Sequence, residues 1–294
     1  MWRDKYIAVD WGTTNRRAWL VDRNGTTVDR FADHLGLMTV SPGGFDKAAA
    51  DIRLKLGDHP MLLAGMVGSD KGWRNVPYVP VPADLPSLAA AILWIDARTG
   101  IIPGICQTGS CPDVMRGEEM QALGALANGD AAPDALVCHP GTHAKWIRLQ
   151  HSKITQFSTM MTGEIFSLIR DHSILAAQLA DEVTDGASFE AGLQEACNGA
   201  SLLSSLFAIR ARKLLRQKPS ANASFASGLL IGSDVHTGLS NARPGEMVAI
   251  IGRSDLSQLY ASAIRKAGFD HKIIDGDKSF LSGIGSITQI LEPQ

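Results

Sequence analysis

The feature that most constrains the fold of this chain is a strand–turn–strand–strand unit that occurs twice. The first copy has predicted strands at 6–9, 17–21 and 26–31, with a polar turn at 10–15. The second copy has predicted strands at 135–138, 145–149 and 153–158, with a polar turn at 139–143. Gly12-Thr13 and Gly141-Thr142 occupy matching places in the two turns. One supersecondary unit used twice predicts two similar α/β domains, at 1–134 and 135–277.

The remaining segments predict helices and strands that complete both domains. Apolar residues at helical spacing predict helices at 44–56, 117–128, 166–179, 188–198, 201–215, 223–239, 256–267 and 280–291. Buried strands are predicted at 60–69, 92–102 and 247–251. Residues 71–86 contain four prolines and predict an irregular loop, and Asn24-Gly25 suits a two-residue hairpin turn. We expect an α/β fold of mixed sheets flanked by helices, with the C-terminal helix, 278–294, packing back on the first domain.

The balance of charge argues against two classes of partner. The chain has 294 residues, a formal net charge of −2 and no dense run of lysine or arginine, unlike a nucleic-acid or anionic-membrane surface. The N-terminal residues lack the apolar stretch of a signal peptide, and no apolar run is long enough to span a bilayer. The four cysteines form no CxxC pair. We therefore expect a cytoplasmic protein with reduced thiols that binds neither nucleic acid nor membrane.

The first turn contains the residue types that bind phosphate. After Asp10, Gly12 allows close backbone approach, and the N–H and hydroxyl groups of Thr13 and Thr14 can hydrogen-bond phosphate oxygens. A carboxylate at the end of a strand can hold Mg²⁺. For one such motif alone, a hairpin turn with a capping aspartate is the alternative. The matching turn at Gly141-Thr142 favours phosphate binding, because two opposed loops can clamp one phosphate chain.

The second turn adds a lysine and two histidines. Lys145 can place a positive charge on a phosphate, or can equally be a solvated strand residue. His139 and His143 have the spacing of two metal ligands on a helix, but Pro140 and Gly141 argue against a helix there.

Two adjacent carboxylates, Glu118 and Glu119, open the helix predicted at 117–128. Acidic residues at a helix N-terminus interact favourably with the helix dipole, and this alone accounts for them. Alternatively, one of them accepts the proton of a substrate hydroxyl. Arg116, directly before them, is suited to pair with a substrate carboxylate in a bidentate geometry. The sequence leaves both interpretations of the carboxylates open.

Three further segments carry weaker signals. Gly252 and Ser254 lie where a strand turns into a helix and can face a nucleotide base or ribose, although any strand-to-helix turn has this pattern. Gly68-Ser69 with Trp73 either lines a substrate pocket or forms a tight turn. Glu164 either orients a metal-bound water or caps the next helix.

In their order along the chain, these motifs resemble the 2-dehydro-3-deoxygalactonokinase family, within the fold superfamily of actin, hexokinase and the heat-shock chaperone ATPases. The segments that carry the resemblance cover nearly the whole chain: 8–15, 64–69 with 72–73, 114–119, 140–143 with 145–146, 161–164 and 227–232. The resemblance implies a two-domain actin-like ATPase fold, also called ribonuclease H-like, with ATP and Mg²⁺ in the cleft. It implies transfer of the ATP γ-phosphate to the 6-hydroxyl of 2-dehydro-3-deoxy-D-galactonate, in galactonate catabolism.

The resemblance also implies roles for individual residues. The residues expected to bind the cofactor are Gly12, Thr13, Thr14, Asn15, Gly141, Thr142, His143, Lys145, Gly252 and Ser254. The sugar acid is expected at Gly68, Ser69, Trp73 and Arg116. His139 stands where the superfamily usually has an aspartate, which leaves metal binding to Asp10 with Glu164. The expected catalytic residues are Asp10 and the two carboxylates at 118 and 119, with Glu118 preferred to Glu119 as general base. The first domain is implied to bind sugar acid and phosphate, the second the nucleotide.

Other functions are compatible with the same features. A phosphohydrolase on this fold would use water as its nucleophile, and a nucleotide-gated protein would bind ATP without catalysis. A kinase for another 2-keto-3-deoxy sugar acid would need only small changes in the pocket. The expected partner is a small-molecule sugar acid, and the sequence leaves a homodimer possible.

Overall fold

The computed structural model describes residues 2, 4–41, 43–217 and 221–292. Contacts along the chain divide it into two compact units. Unit 1 comprises Met1–Asp134, Arg148–Phe157 and Gly276–Gln294, and unit 2 comprises Ala135–Ile147 and Ser158–Asp275. Within the described ranges, no helix is both long enough and apolar enough to cross a bilayer.

The elements are numbered in chain order. The strands are β1 (Lys5–Trp11), β2 (Arg16–Asp22), β3 (Thr27–Asp33), β4 (Met61–Gly65), β5 (Val79–Pro80), β6 (Leu93–Asp96), β7 (Thr99–Ile101), β8 (Ile105–Gln107), β9 (Asp113–Met115), β10 (Ala135–His139), β11 (Ala144–Gln150), β12 (Lys153–Met160), β13 (Val248–Gly252) and β14 (His271–Asp275). The α-helices are α1 (Phe45–Leu56), α2 (Leu85–Ala90), α3 (Glu118–Ala127), α4 (Thr162–His172), α5 (Ala187–Cys197), α6 (Leu202–Leu214), α7 (Asn222–Gly238), α8 (Ser254–Lys266) and α9 (Gly276–Leu291).

Unit 1 is built on a six-stranded sheet in the order β3-β2-β1-β4-β7-β6. Strand β1 pairs antiparallel with β2 and parallel with β4, so the hairpin strands and the parallel strands meet at β1. Five of the seven residues of β1 and all five of β4 are buried. Their sequences are correspondingly continuous apolar runs, as expected for central strands of a sheet that is covered on both faces.

Helices cover both faces of this sheet. On one face, Ile7, Val9 and Trp11 of β1 join the apolar core that α1 closes. Tyr6 points to the opposite face because side chains alternate along a strand. Helix α9 passes there, and a Cβ on its Gly285 would lie 3.2 Å from the Tyr6 hydroxyl. Helix α3 packs against α9 on the same side.

Unit 2 repeats this arrangement. Its five-stranded sheet has the order β12-β11-β10-β13-β14, and β13 pairs parallel with both β10 and β14. Three strands consecutive in the chain, followed by a parallel strand from later in the chain, match the order β3-β2-β1-β4 of unit 1. Helix α7 is buried along most of its length and packs against α5 and α8. The α/β class with duplicated mixed sheets flanked by helices is confirmed.

Two turns differ from the sequence prediction because of local hydrogen bonds. The strand predicted at 92–102 is instead the hairpin β6–β7, in which the Arg98 N–H donates to the Asp96 side chain at 2.6 Å and turns the chain. The turn at Asn24-Gly25 has three residues rather than two, because the Asp22 N–H donates to the Thr26 carbonyl at 2.9 Å.

Two further differences concern the ends and the presence of elements. The helix predicted at 166–179 ends early, because the Ser173 hydroxyl accepts the Leu175 N–H at 2.9 Å and breaks the helical pattern. The predicted irregular loop at 71–86 contains the short strand β5 and the start of α2, where Asp84 accepts the Ser87 N–H at 2.9 Å. Strand β14 was missed, because its sequence, His-Lys-Ile-Ile-Asp, is short and only half apolar.

Candidate functional site

The first polar turn is fixed by backbone hydrogen bonds to the segment that follows β3. The Gly12 N–H donates to the Asn15 carbonyl at 2.9 Å, and the carbonyls of Gly12 and Thr13 accept N–H groups of residues 37 and 38 at 3.0 and 3.1 Å. The side chains of Thr13, Thr14 and Asn15 are exposed. The turn therefore holds its carbonyls inward and presents its hydroxyls to solvent.

Asp10, at the end of β1, belongs to a group of charges that we call the Arg17 cluster: Arg17, Asp10, Glu118 and Asp277. Asp10 and Arg17 are directly opposite in the β1–β2 pairing, and Arg17 forms an ion pair with Asp10. Arg17 also pairs with Asp277, at the start of α9, at 2.5 Å. Burial raises the pKa of Asp10, the charge of Arg17 opposes this shift, and the charges of Asp277 and Glu118 add to it. Arg17 therefore pairs with two carboxylates, and a third, Glu118, lies close enough to Asp10 to raise its pKa.

Arg17 was not predicted from the sequence as a site residue, although strand alternation could have indicated it. Its neighbour Arg16 is fully buried on the other face of β2, where it donates to Asp33 at 2.6 Å and supports the fold. Successive residues of a strand point to opposite faces, so Arg17 lies on the face of its cross-strand partner Asp10. Asp277 carried no local signal, because it is 260 residues from Arg17 in the sequence.

The two carboxylates at the start of α3 have different environments. Glu119 is fully buried, and both of its oxygens accept the Gly117 N–H, at 2.7 and 2.9 Å. Burial raises the pKa of Glu119 to about 8, and the charge of Glu118 adds to the shift. Glu118 is half-buried, accepts the Arg116 N–H at 3.2 Å, and is near enough to act on the Asp10 carboxyl. Glu119 therefore fixes the helix start, and Glu118 belongs to the Arg17 cluster through its effect on Asp10.

Two glycines allow these elements to meet. Gly65, at the end of β4, has a φ of +94°, which favours glycine, and a Cβ there would lie 2.8 Å from the Trp11 carbonyl and 3.4 Å from Asp10 Oδ1. Gly117 has a φ of +115°, and its Cβ would lie 3.4 Å from the Gly65 Cα. The end of β1, the end of β4 and the start of α3 are thereby in direct contact.

Arg116 is a buried cation with unsatisfied donors. Its guanidinium lies 4.2 Å from the centre of the Tyr78 ring, and Nη2 donates to the Val76 carbonyl at 2.8 Å. Among the residues that the structure describes, Nε and Nη1 have no hydrogen-bond partner. The buried Ser69 hydroxyl also lacks a partner there. A Cβ on Gly68 would lie 2.8 Å from Nη1, so the glycine leaves the room that the guanidinium needs.

Trp73, the remaining residue predicted to bind substrate, lies on the α1 side of the sheet. Its ring belongs to the apolar core of unit 1 and lines a cavity of about 450 Å³ together with Asp46, Arg53 and Asp96. The structure thus brings Gly68 and Arg116 into contact but gives Trp73 a different set of neighbours.

In unit 2, the turn between β10 and β11 is attached to the start of α4. The Glu164 N–H donates to the Thr142 carbonyl at 3.0 Å, and Glu164 Oε2 is 2.5 Å from His143 Nε2. A Cβ on Gly163 would lie 2.6 Å from the Gly141 carbonyl oxygen, so the helix start packs directly on the turn.

Two more predicted residues border this turn. A Cβ on Gly252, at the end of β13, would lie 3.4 Å from the Pro140 carbonyl oxygen, and Ser254 begins α8 two residues later. Lys145 is buried and donates to the Thr159 hydroxyl at 2.8 Å, so it is not a solvated strand residue.

The described part of the chain contains no group of three or more His, Cys, Asp or Glu side chains arranged to hold a metal ion. Residues 139–143 form the end of a strand and a turn rather than a helix, as the proline and glycine predict. His139 and His143 therefore lack the helical arrangement that would place both imidazoles on one metal. A Mg²⁺ ion does not require three protein carboxylates, because it usually binds one or two together with substrate phosphates and water.

Comparison with known proteins finds close relatives over nearly the whole chain. The model of a family described as 2-keto-3-deoxy-galactonokinase matches residues 10–287. The 2-dehydro-3-deoxygalactonokinase of Escherichia coli strain K12 is 34% identical over 287 residues, which cover 96% of this chain and 97% of that protein.

Solved structures agree with this relationship. A protein from Sinorhizobium meliloti, provisionally assigned as a 2-dehydro-3-deoxygalactonokinase, has a TM-score of 0.91 at 34% identity and covers 98% of this chain and 100% of its own. Component A of the (R)-2-hydroxyglutaryl-CoA dehydratase of Acidaminococcus fermentans has a TM-score of 0.51 at 11% identity and covers 98% of each chain. That distant likeness shows the fold alone, and the predicted actin-like ATPase fold is confirmed.

The buried carboxyl of Glu119 predicts that stability depends on pH. The pKa of Glu119 is about 8 in the folded protein, compared with 4.5 for an unburied glutamate. Between these pH values, the folded state keeps a proton that the unfolded state releases. The free energy of unfolding therefore falls as pH rises through this window. Glu119→Gln can still accept the Gly117 N–H but does not titrate. We compare the free energies of unfolding of the variant and the wild type in urea. The difference, variant minus wild type, should be higher at pH 8 than at pH 5 by roughly 2 kcal/mol or more.

Circular dichroism should show that the Glu119→Gln variant keeps the secondary structure of the wild type at both pH values. A stability difference that is equal at pH 5 and pH 8 would contradict the proposed protonation of Glu119.

Proposed function

Because the chain belongs to the 2-keto-3-deoxy-galactonokinase family, we propose that it transfers the γ-phosphoryl group of ATP to the 6-hydroxyl of 2-dehydro-3-deoxy-D-galactonate. The product would be 2-dehydro-3-deoxy-6-phosphogalactonate. The relationship extends over nearly the whole length of the chain, and the relatives' names supply the proposed substrate. The same proposal includes a cytoplasmic location and a role in galactonate breakdown.

The observation that carries the choice of an acidic substrate is the environment of Arg116. Its guanidinium is buried and stacked on Tyr78, yet two of its three nitrogens lack acceptors among the described residues. A buried, unpaired donor on a charged group is costly, so such a site is complete only with an acceptor. A planar carboxylate fits a guanidinium that is already held in place, with charge-assisted hydrogen bonds. We assign the carboxylate of the sugar acid to Arg116, beside Gly68 and Ser69.

Glu118 is the best candidate for the general base. It is half-buried at the N-terminus of α3, two residues from Arg116 and within electrostatic reach of Asp10. In phosphoryl transfer to a hydroxyl, a carboxylate orients the acceptor and takes its proton. Glu119 is less suitable, because both of its oxygens accept the Gly117 N–H and its side chain is not exposed.

The Arg17 cluster supports the presence of Mg²⁺ in the proposal. The cluster contains three carboxylates but only one guanidinium, so its negative charges outnumber its positive charge. Carboxylate oxygens are among the ligands that Mg²⁺ prefers. We propose that Asp10 holds the ion and that Glu164 is the second candidate ligand. When bound, Mg²⁺ neutralises charge on the β- and γ-phosphates of ATP.

The nucleotide is proposed to bind through residues of both units. The phosphates are assigned to the turn at 12–15 and to residues 141–145. The adenosine is assigned to Gly252 and Ser254. The contacts of Glu164 with Thr142 and His143 support a preformed phosphate-binding turn. That the two turns clamp one phosphate chain stays a prediction, as does a homodimer.

A coupled assay of ADP release across a panel of sugar acids tests the proposed function. We expect turnover only when a 2-keto-3-deoxy sugar acid is present, with 2-dehydro-3-deoxy-D-galactonate preferred to the gluconate epimer. Phosphate release from ATP without any sugar acid would instead indicate a phosphohydrolase. Nucleotide binding without turnover on the whole panel would indicate a non-catalytic nucleotide-gated protein.

Substitution of Arg116 tests the carboxylate site. Lysine keeps one positive charge but loses the planar fork that binds two carboxylate oxygens. In Arg116→Lys, we expect the KM for the sugar acid to rise by about 10- to 100-fold, the size of one or two lost charge-assisted hydrogen bonds. The KM for ATP should change less than threefold. Arg74→Lys, an exposed arginine two residues before Val76, is the matched control and should leave both KM values unchanged. An unaltered sugar-acid KM in Arg116→Lys would remove Arg116 from the substrate site.

Substitution of Glu118 tests the general base. Glu118→Gln keeps the size and the hydrogen-bonding ability of the side chain but cannot accept the proton. We expect kcat to fall by about 10²- to 10⁴-fold while the KM values for both substrates stay within a few-fold of wild type. If Glu119→Gln lost turnover to this extent and Glu118→Gln did not, the assignment of the base would be reversed.

A further inference from the structure

Unit 2 contains a buried carboxylate that the proposed chemistry does not use. Asp234, in α7, is only 4% exposed. It accepts hydrogen bonds from Trp146 Nε1 at 2.7 Å, from the Thr162 hydroxyl at 2.5 Å and from the Tyr260 hydroxyl at 2.5 Å. These three donors come from β11, α4 and α8. No lysine, arginine or histidine side chain in the described part of the chain forms an ion pair with Asp234.

A carboxylate in this position is not explained by stability alone. Burial raises the pKa of Asp234, and the three hydrogen bonds oppose that shift without removing it. Buried charged groups can often be replaced by apolar residues of similar volume without loss of stability. The role of this carboxylate is therefore to fix the geometry of the groups that it binds.

The bond to Thr162 fixes the start of α4. Thr162 is the first residue of this helix, and the next two residues contact the turn at 139–143. Gly163 packs on the Gly141 carbonyl, and Glu164 bonds the Thr142 carbonyl and the His143 ring. A shift of Thr162 would therefore be transmitted directly to this turn.

The bond to Trp146 fixes the strand that leaves the same turn. Trp146 directly follows Lys145 in β11, and its side chain is buried. A Cβ on Gly238 would lie 1.9 Å from Trp146 Cε2, so α7 contacts the indole at both Asp234 and Gly238. One carboxylate thus holds both the strand after the turn and the helix that packs on it.

We propose that Asp234 is a positioning residue for nucleotide binding, which holds the turn at 139–143 in its phosphate-binding geometry through Thr162 and Trp146. This inference rests on the proposed function, because it takes the turn to be a site for ATP phosphates. Asp234 itself does not contact the nucleotide.

The chain offers a matched control for this role. Tyr260 donates to the same oxygen of Asp234 as Thr162 does, at the same distance of 2.5 Å. Tyr260 lies in the middle of α8, whereas Thr162 adjoins the turn. Loss of either hydroxyl removes one hydrogen bond from the buried carboxylate, but only loss of the Thr162 hydroxyl releases the start of α4.

The test compares Thr162→Val, Thr162→Ser and Tyr260→Phe in the full-length protein. Thr162→Val should raise the KM for ATP about tenfold, which corresponds to the free energy of one hydrogen bond to a charged group being used to hold the turn in its binding geometry, with the KM for the sugar acid unchanged. Thr162→Ser, which keeps the hydroxyl, should restore the KM for ATP to within threefold of wild type. Thr162→Val and Tyr260→Phe should lower Tm by similar amounts, because each loses one hydrogen bond to Asp234. Tyr260→Phe should leave the KM for ATP unchanged.

A purely structural role gives a different result. Either an unchanged KM for ATP in Thr162→Val, or an equal rise in Thr162→Val and Tyr260→Phe, would overturn the proposal. A double variant provides a second measure: Asp234→Asn with Thr162→Val should have nearly the same KM for ATP as Asp234→Asn alone. If the double variant instead raised the KM for ATP by the product of the two single-variant factors, Asp234 and Thr162 would act independently. That result would also overturn the proposal.

Binding of a non-hydrolysable ATP analogue, AMPPNP with Mg²⁺, separates this proposal from the proposed function. If the wild type phosphorylates no sugar acid but binds AMPPNP, the kinase assignment fails, and about tenfold weaker binding by Thr162→Val still supports the positioning role. If the wild type binds no AMPPNP by calorimetry, the positioning role is overturned as well.

Discussion

The parallel pairing of two buried strands is the constraint on which the candidate site of each unit depends. In unit 1, β1 and β4 run side by side, so Asp10 and Gly65 end at the same edge of the sheet. In unit 2, β10 and β13 are paired in the same way, and Pro140 and Gly252 meet at the corresponding edge. Polar groups at the carboxyl ends of parallel strands form the usual ligand crevices of open α/β sheets. Burial of the apolar strands therefore positions the polar turns.

Three groups of charged side chains in the structure have different balances of charge, and each balance has a distinct chemical consequence. In the Arg17 cluster, carboxylates outnumber the single guanidinium, which suits a cation. Arg116 has the opposite imbalance, with unused donors beside an aromatic ring, which suits an anionic substrate. Asp234 accepts from hydroxyl and indole donors and has no cationic partner among the described residues, which suits a fixed structural junction. Charge balance thus distinguishes the proposed metal site and the proposed substrate site from a buried junction of the framework.

Much of the architecture could be predicted from the sequence because it depends on local patterns. The buried runs of β1, β4, β10 and β13 and the periodic helices are confirmed, and the family resemblance is confirmed by relatives that match nearly the whole chain. Two of the errors occurred where one side-chain hydrogen bond redirects the backbone, at Asp96 and Ser173, and β14 was missed because its sequence is only partly apolar. The roles of Glu118 and Glu119 could not be ranked from adjacency, since their difference in burial arises from packing around α3.

The sequence was enough to predict the duplicated unit, the two glycine–threonine turns, the family and an arginine suited to a carboxylate. Three features arise only when the chain has folded: Arg116 is buried with donors that have no acceptor among the described residues, Arg17 joins Asp10 to Asp277, and Asp234 connects three elements of unit 2. The physical reason is the range of the interactions. Hydrophobic period and turn chemistry act over a few residues and are visible in the sequence, whereas charge pairing and burial join residues up to 260 positions apart and exist only after the chain has folded.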